Sequence, residues 1–304
     1  MQIIFSTQNY QYLKEKVLRL GDFEEGKIEV KIFPDGERYQ RILSSVDGRD
    51  VVLIGGTISD QDTLELYDLA CAIEKYGAHK LILVIPYFGY STMERAVKPG
   101  EVVTAKTRAR LLSSIPRTGG GNHVLLFDLH TEGIPHYFEG NIRTIHLYCK
   151  DLIMEAAREL GGDNYMMACT DAGRAKWVES LANDLGVTAA FVFKRRLSGE
   201  NTEITGINAD VADKNVIIYD DMIRTGGSLI QAALSYKNAG ASKVFAITTH
   251  GLFNNQALSR IKDSKIIEKV VSTDTHLNAI QIEDQFLQIK SIDRLIVQKI
   301  KELY

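Results

Sequence analysis

Apolar, β-branched runs alternate with amphipathic stretches along most of the 304-residue chain. VVLIGG from Val51, KLILVIPYF from Lys80, HVLLFDLH from His123, YMMACTD from Tyr165, NVIIYDD from Asn215 and KVFAITTHG from Lys243 are continuous rather than alternating. That is the pattern of strands covered on both faces. Between them, TLELYDLACAIEKYG, TAKTRARLLSSI, KWVESLANDLG and SLIQAALSYKNAG carry helical spacing. Strand–helix–strand order predicts an α/β fold with mainly parallel sheets flanked by helices and right-handed crossovers. The opening MQIIFSTQNY has no charged segment before its short apolar stretch, so it reads as a first strand rather than a signal peptide. The closing SIDRLIVQKIKELY predicts an amphipathic helix, with Ser291 as its cap, Asp293 in its first turn and Leu295, Ile296 and Ile300 along one face.

The pattern also repeats. VVLIGGTISDQDTLELYDLACAIEKYGAHKLILVIPYFG and NVIIYDDMIRTGGSLIQAALSYKNAGASKVFAITTHG both run strand, turn, helix, Gly-Ala-x-Lys, strand. Gly77-Ala78-His79-Lys80 matches Gly240-Ala241-Ser242-Lys243 in role, a glycine ending each helix. The repeat predicts two similar halves, residues 1–146 and 147–304, with the last helix a candidate to pack on the first half. Only the second copy has an acidic pair and a Thr-Gly-Gly-Ser turn, so unequal chemistry is expected of the halves.

Composition narrows the classes. Lys and Arg total 36 against 39 Asp and Glu, a net charge of -3, which argues against a nucleic-acid binder. No apolar run approaches the roughly 18 residues of a membrane span. Cys71, Cys149 and Cys169 are odd in number and far apart, fitting neither a disulfide framework nor a zinc set. A reduced, cytoplasmic setting is the expectation.

The strongest chemical signal is VIIYDDMIRTGGSLIQAA. A buried strand ends in Asp220 and Asp221, and Thr225-Gly226-Gly227-Ser228 then opens a helix. Glycines admit a phosphate to backbone N–H groups, hydroxyls add donors, and the helix N-terminus adds its positive dipole end. The carboxylates would repel the phosphate and so serve another part of the ligand, such as sugar hydroxyls. The motif therefore describes a sugar phosphate lying along a loop. Asp128 and His130 end HVLLFDLH and, alternating on a strand, are expected to face one side. The carboxylate suits Mg²⁺, whereas the imidazole is a less usual ligand that could contact a phosphate or water instead. Asp171-Ala172-Gly173 closes YMMACTD, and Lys194, Arg195 and Arg196 end TAAFVFKRR, with Lys194 and Arg196 on one face if the strand continues. FPDGE offers Phe33 as a stacking surface and Asp35 and Glu37 as acceptors; taken alone it is an ordinary turn between two strands.

The acidic stretch resembles the phosphoribosyl-pyrophosphate motif of the phosphoribosyltransferase fold. FPDGERYQRI, IPYFGY with VVTAK, VLLFDLHTEGIPHYF, CTDAGRAKW, FKRR and ITTHGLF, in that order, together resemble the ribose-phosphate pyrophosphokinase family. The resemblance implies two tandem phosphoribosyltransferase-type domains. It implies Mg²⁺-dependent transfer of the diphosphoryl group of ATP to the anomeric hydroxyl of ribose 5-phosphate, giving 5-phosphoribosyl 1-pyrophosphate and AMP. In that scheme Asp128 and His130 hold the metal of Mg-ATP, and Asp171 holds a second Mg²⁺. Lys194 and Arg196 reach the transferring group, with the following SGENTEITG as a flap. Phe33, Asp35 and Glu37 serve adenine across a subunit interface, which implies a homo-oligomer; Arg95 and His130 contribute to ATP. Asp220 and Asp221 hold ribose hydroxyls, and Arg224, Thr225, Gly226, Gly227 and Ser228 the 5-phosphate. The chain departs from the common pattern at Arg224, where the family has an aspartate, and at Ser91-Thr92-Met93-Glu94-Arg95, where it has an Arg-Gln pair. The chain ends at KELY without the usual tail of the phosphate-activated members, and the TMER string resembles a phosphate-independent class; absence of phosphate and ADP allostery is the expectation. A non-catalytic regulatory subunit and a phosphoribosyltransferase stand as rivals.

Overall fold

The computed structural model describes residues 1–140, 142–198 and 201–303, with backbone alone for 172, 193–198 and 201–205. The chain divides into two units, Met1–Tyr148 with Asp293–Tyr304, and Cys149–Ile292.

The first unit holds β1 (Ile3–Ser6), α1 (Gln11–Leu20), β2 (Glu24–Glu25), β3 (Ile28–Ile32), β4 (Arg38–Ile42), β5 (Asp50–Ile54), α2 (Asp60–Lys75), β6 (Lys80–Ile85), α3 (Thr104–Ser113), β7 (Asn122–Phe127) and β8 (Ile142–Leu147). The second holds α4 (Lys150–Gly161), β9 (Tyr165–Cys169), α5 (Ala175–Leu185), β10 (Ala189–Ala190), β11 (Val192–Ser198), β12 (Asn201–Ile207), β13 (Asn215–Ile223), α6 (Gly227–Asn238), β14 (Lys243–Gly251), α7 (Ala257–Asp263), β15 (Val270–Thr273), α8 (Leu277–Ile280) and β16 (Leu287–Lys290). α9 (Asp293–Glu302) returns to the first unit, where it packs on α1.

Each unit is a six-stranded parallel sheet with an antiparallel ribbon beside it. The orders are β2-β1-β5-β6-β7-β8 with ribbon β3-β4, and β10-β9-β13-β14-β15-β16 with ribbon β11-β12. The six apolar runs read from sequence are β5, β6, β7, β9, β13 and β14, and their central residues are fully buried. A core led by Ile3, Phe5, Leu53, Leu66, Leu83 and Phe88 fills the first unit, and one led by Met166, Ile218, Tyr236, Val244 and Ile261 fills the second.

Pairing register aligns the two units residue by residue. Asp50 pairs with Lys80 as Asn215 pairs with Lys243. The Gly-Ala-x-Lys turns match atom for atom: Gly77 and Gly240 have φ of 87° and 96°. The Gly48 N–H donates to Gly77 O (2.8 Å) as the Asp213 N–H does to Gly240 O (2.9 Å). The His79 N–H donates to Arg49 O (2.7 Å) as the Ser242 N–H does to Lys214 O (2.8 Å). The internal repeat is thus a topological duplication. Leu147 and Lys290 are likewise equivalent, pairing with Phe127 and Thr273, so α4 and α9 are counterparts. Each closes one repeat and belongs to the other unit: α4 packs on β13, β14 and α5.

Ile296, Val297 and Ile300 form the buried face of α9, with Leu295 half-buried. The Ser291 cap expected from sequence is displaced, because the helix begins two residues later. The carboxylate of Asp274 takes the Ile292 N–H (2.9 Å) and the Ser291 hydroxyl (2.6 Å). Among the described residues no helix is long and apolar enough to cross a membrane.

Candidate active site

β13 brings the acidic pair to the carboxyl edge of the second sheet, between β9 and β14. Parallel sheets bind ligands at this edge. The two carboxyl groups lie within hydrogen-bond contact of each other, but their other surroundings differ. Asp221 is 2 % exposed and gripped by Arg174: Nε to Oδ1 at 3.1 Å and Nη2 to Oδ2 at 2.6 Å. Asp220 is half-buried and accepts from Thr170 Oγ1 at 3.0 Å. Burial and the neighbouring Asp221 carboxylate push Asp220 well above the usual carboxylate range, with the Thr170 hydrogen bond opposing them. Burial opposes the charge of Arg174, but Asp221, Tyr219 and Asp220 outweigh it and hold the guanidinium above its ordinary pKa.

Beyond the pair, Arg224 and Thr225 are exposed and Gly226 turns the chain at φ 78°, a left-handed conformation that favours glycine. α6 starts at Gly227 with no side-chain cap and no acidic residue in its first turn, and Ser228 is exposed. Its first N–H groups and positive dipole end therefore remain open to an anion. Arg260 Nη2 donates to the Thr225 carbonyl, tying the loop to α7.

Asp171 follows β9 with its side chain exposed, and its Oδ1 accepts the Gly173 N–H at 2.8 Å. β11 runs beside the Ala172–Arg174 turn. Lys194 and Arg196 pair with Ile204 and Thr202 in an unbroken stretch of the β11-β12 ribbon; their side chains lie outside the described residues, as do Gly199 and Glu200 of the expected flap.

In the first unit, β7 ends at Phe127 and Asp128 adopts φ 33°, so strand alternation does not carry through to His130. This corrects the reason for placing Asp128 and His130 on one side. Asp128 is buried and its N–H donates to Leu147 O (3.0 Å); His130 is half-buried. Between them, Leu129 donates its N–H to His146 Nε2 at 3.0 Å. Burial, the Glu132 hydrogen bond and Asp128 push the Tyr148 hydroxyl up to about 12. Phe33, Asp35 and Glu37 lie at the tip of the β3-β4 ribbon, all exposed, with Gly36 at φ 92° and Asp35 Oδ1 accepting the Glu37 N–H at 3.1 Å. Arg95 is exposed beside Glu94, at 3.5 Å.

Among the described residues no three His, Cys, Asp or Glu side chains form a metal cage. Asp128 and Asp171 are single hard carboxylates. They fit Mg²⁺, which takes one or two carboxylates and completes its shell with water and substrate phosphates.

Sequence reasoning missed Arg174 and Thr170. Arg174 stands in the CTDAGRAKW segment three residues after Asp171, but its pairing with a residue 47 positions on has no local signature.

A duplicated parallel α/β unit, with an acidic strand end opening into an uncapped glycine loop, defines a protein of two tandem phosphoribosyltransferase-type domains. The chain belongs to the ribose-phosphate pyrophosphokinase family. Residues 2–115 match the N-terminal domain of ribose phosphate pyrophosphokinase, and residues 166–304 match the phosphoribosyl synthetase-associated domain. A ribose-phosphate pyrophosphokinase of Chlorobaculum tepidum is 33% identical over 90% of this chain and 82% of its own. One from Fusobacterium nucleatum is 30% identical over 99% of this chain and 94% of its own. The crystal structure of phosphoribosylpyrophosphate synthetase from Mycobacterium smegmatis superposes with a TM-score of 0.87 at 25% identity, covering 99% of this chain and 98% of that one. The protein is an enzyme of this family.

Proposed function

We propose that the enzyme transfers the diphosphoryl group of ATP to the anomeric hydroxyl of ribose 5-phosphate, releasing AMP. The observation that carries this reading is the loop after β13, where an acidic strand end stands beside an uncapped helix N-terminus. The loop suits the 5-phosphate and the acidic end suits ribose hydroxyls. Arg224, a cation where the family has an aspartate, favours the phosphate and cannot accept from a hydroxyl. Asp128 with His130 would hold the Mg²⁺ of ATP and Asp171 a second Mg²⁺, ions that would supply charge neutralisation on the diphosphoryl group. Lys194 and Arg196, on the ribbon beside the Asp171 turn, meet the negative charge that develops as the diphosphoryl group transfers. Such transfer depends on alignment and charge stabilisation, so no strong protein nucleophile is required.

The exposed ribbon tip with Phe33, Asp35 and Glu37 suits an adenine site completed by a second copy of the chain. His130 and Arg95 belong to the ATP side of this reading. The cytoplasm is the setting, in keeping with Cys71, Cys149 and Cys169 as thiols rather than disulfides. Ser91-Thr92-Met93-Glu94-Arg95 supports activity independent of inorganic phosphate and of ADP control. A sigmoidal phosphate-activation curve would contradict that part alone.

Lys194→Ala tests the chemistry. Turnover, read as AMP released in the presence of ribose 5-phosphate, should fall about a hundredfold or more. Nearly unchanged turnover would remove Lys194 from the mechanism.

A further inference from the structure

The two adjacent acids of β13 read as a pair of sugar ligands in sequence, but their surroundings in the fold differ. Both oxygens of Asp221 accept from the Arg174 fork, and the side chain is buried. Asp220, one residue back, is half-buried; it accepts from the hydroxyl of Thr170 and its carboxyl touches that of Asp221. Arg174 closes the turn that begins at Asp171 and starts α5. The fork therefore ties the turn after the first parallel strand to the central strand of the same sheet.

The sister unit makes the same tie without any charge. By register Gly55 and Gly56 stand where Asp220 and Asp221 stand, and Ser6 where Cys169 stands. There the fully buried Tyr10, in the turn after β1, lies over Gly56: a Cβ on that glycine would come within 2.2 Å of the Tyr10 hydroxyl oxygen. One repeat fills this place with an aromatic ring and the other with an ion pair. The common element is the link between turn and strand, not a ligand.

We propose that Arg174 and Asp221 are positioning residues. Their buried pair registers the Asp171 turn against β13, and Asp220 is the acid of the pair that meets the sugar. The proposal rests on the reading of the β13 loop as a ribose 5-phosphate site. Breaking a buried pair on one side leaves an uncompensated charge, whereas replacing both partners with apolar side chains of similar volume is often tolerated.

The test compares Asp220→Asn, Asp221→Asn, Arg174→Met and the double variant Arg174→Met/Asp221→Leu. Melting temperature, KM for ribose 5-phosphate and kcat are measured for each. Asp220→Asn should raise KM by about tenfold or more, the loss of a carboxyl partner for the sugar hydroxyls, at wild-type melting temperature. Each single change at the pair should lower the melting temperature, and the double variant should recover most of that loss. The double variant should keep KM within about threefold of wild type while kcat falls, because the Asp171 turn loses its register. A folded double variant whose KM rises as in Asp220→Asn overturns the proposal, as does a double variant whose melting temperature falls by the sum of the singles. If the wild-type enzyme does not turn over ribose 5-phosphate, the functional reading fails, and the melting-temperature comparison still decides whether the pair is a tie.

Discussion

Gly226 has a φ of 78°, and a Cβ there would come within 2.9 Å of the Ile261 side chain. An L-residue in that conformation costs about 1–2 kcal/mol before any clash. Gly226→Ala should therefore raise KM for ribose 5-phosphate and lower the melting temperature together; steady-state kinetics with a thermal melt checks both. A second residue-scale expectation concerns His276. Burial, with His250 nearby, lowers its pKa to about 4, and its Nδ1 accepts the Asn278 N–H. The folded protein thus holds the neutral ring, while the unfolded chain takes up a proton near the ordinary value of about 6.5. The contribution is fully present above that pH and is lost as pH falls toward 4, about 3 kcal/mol in all. His276→Asn keeps an acceptor at the start of α8 and removes the titration. Its unfolding free energy should decline less between those pH values than that of the wild type, and identical profiles would contradict the assignment. The acidic pair and the glycine turn were legible in sequence because they are contiguous. The Arg174 fork was not, because its partners meet only through the pairing of β9 with β13.

At the scale of elements, Asp-x-His occurs twice at one topological place. Register makes Asp128 and His130 the counterparts of Asp274 and His276. The Asp128 N–H donates to Leu147 O and the Asp274 N–H to Lys290 O, at 3.0 and 3.1 Å. The second copy has turned to structure: Asp274 is fully buried and receives the Ser291 hydroxyl and the Ile292 N–H where the chain enters α9. Asp274→Ala should cost about 2–4 kcal/mol in urea unfolding, the loss of two hydrogen bonds to a buried carboxylate, with KM for ribose 5-phosphate little changed. Unchanged unfolding would contradict this role. The correspondence escaped sequence reading because β15 and β16 are four-residue strands, too short for a periodic signal. The long apolar strands and the helices α2, α3, α5, α6 and α9, each of ten residues or more, were readable for the opposite reason.

At the scale of the molecule, the two copies of the unit differ at the loop after the central strand. In the second unit the loop after the central strand is open and uncapped. In the first, Ser59 accepts the Asp62 N–H at the start of α2, and Asp60 and Asp62 stand in its first turn, surroundings that repel an anion. Asp60 is itself held by the Tyr90 hydroxyl and Arg108, at 2.7 and 2.6 Å. The repeat announced the duplication in sequence, and the single Thr-Gly-Gly-Ser turn announced the asymmetry; the plug of Tyr10 over Gly56 needed the fold. Diphosphoryl transfer to ribose 5-phosphate can be read by phosphorus NMR of the purified enzyme with ATP, Mg²⁺ and ribose 5-phosphate, without added inorganic phosphate. AMP should appear together with a sugar-linked diphosphate in equal amounts. ATP left intact, with or without phosphate then added, would contradict it.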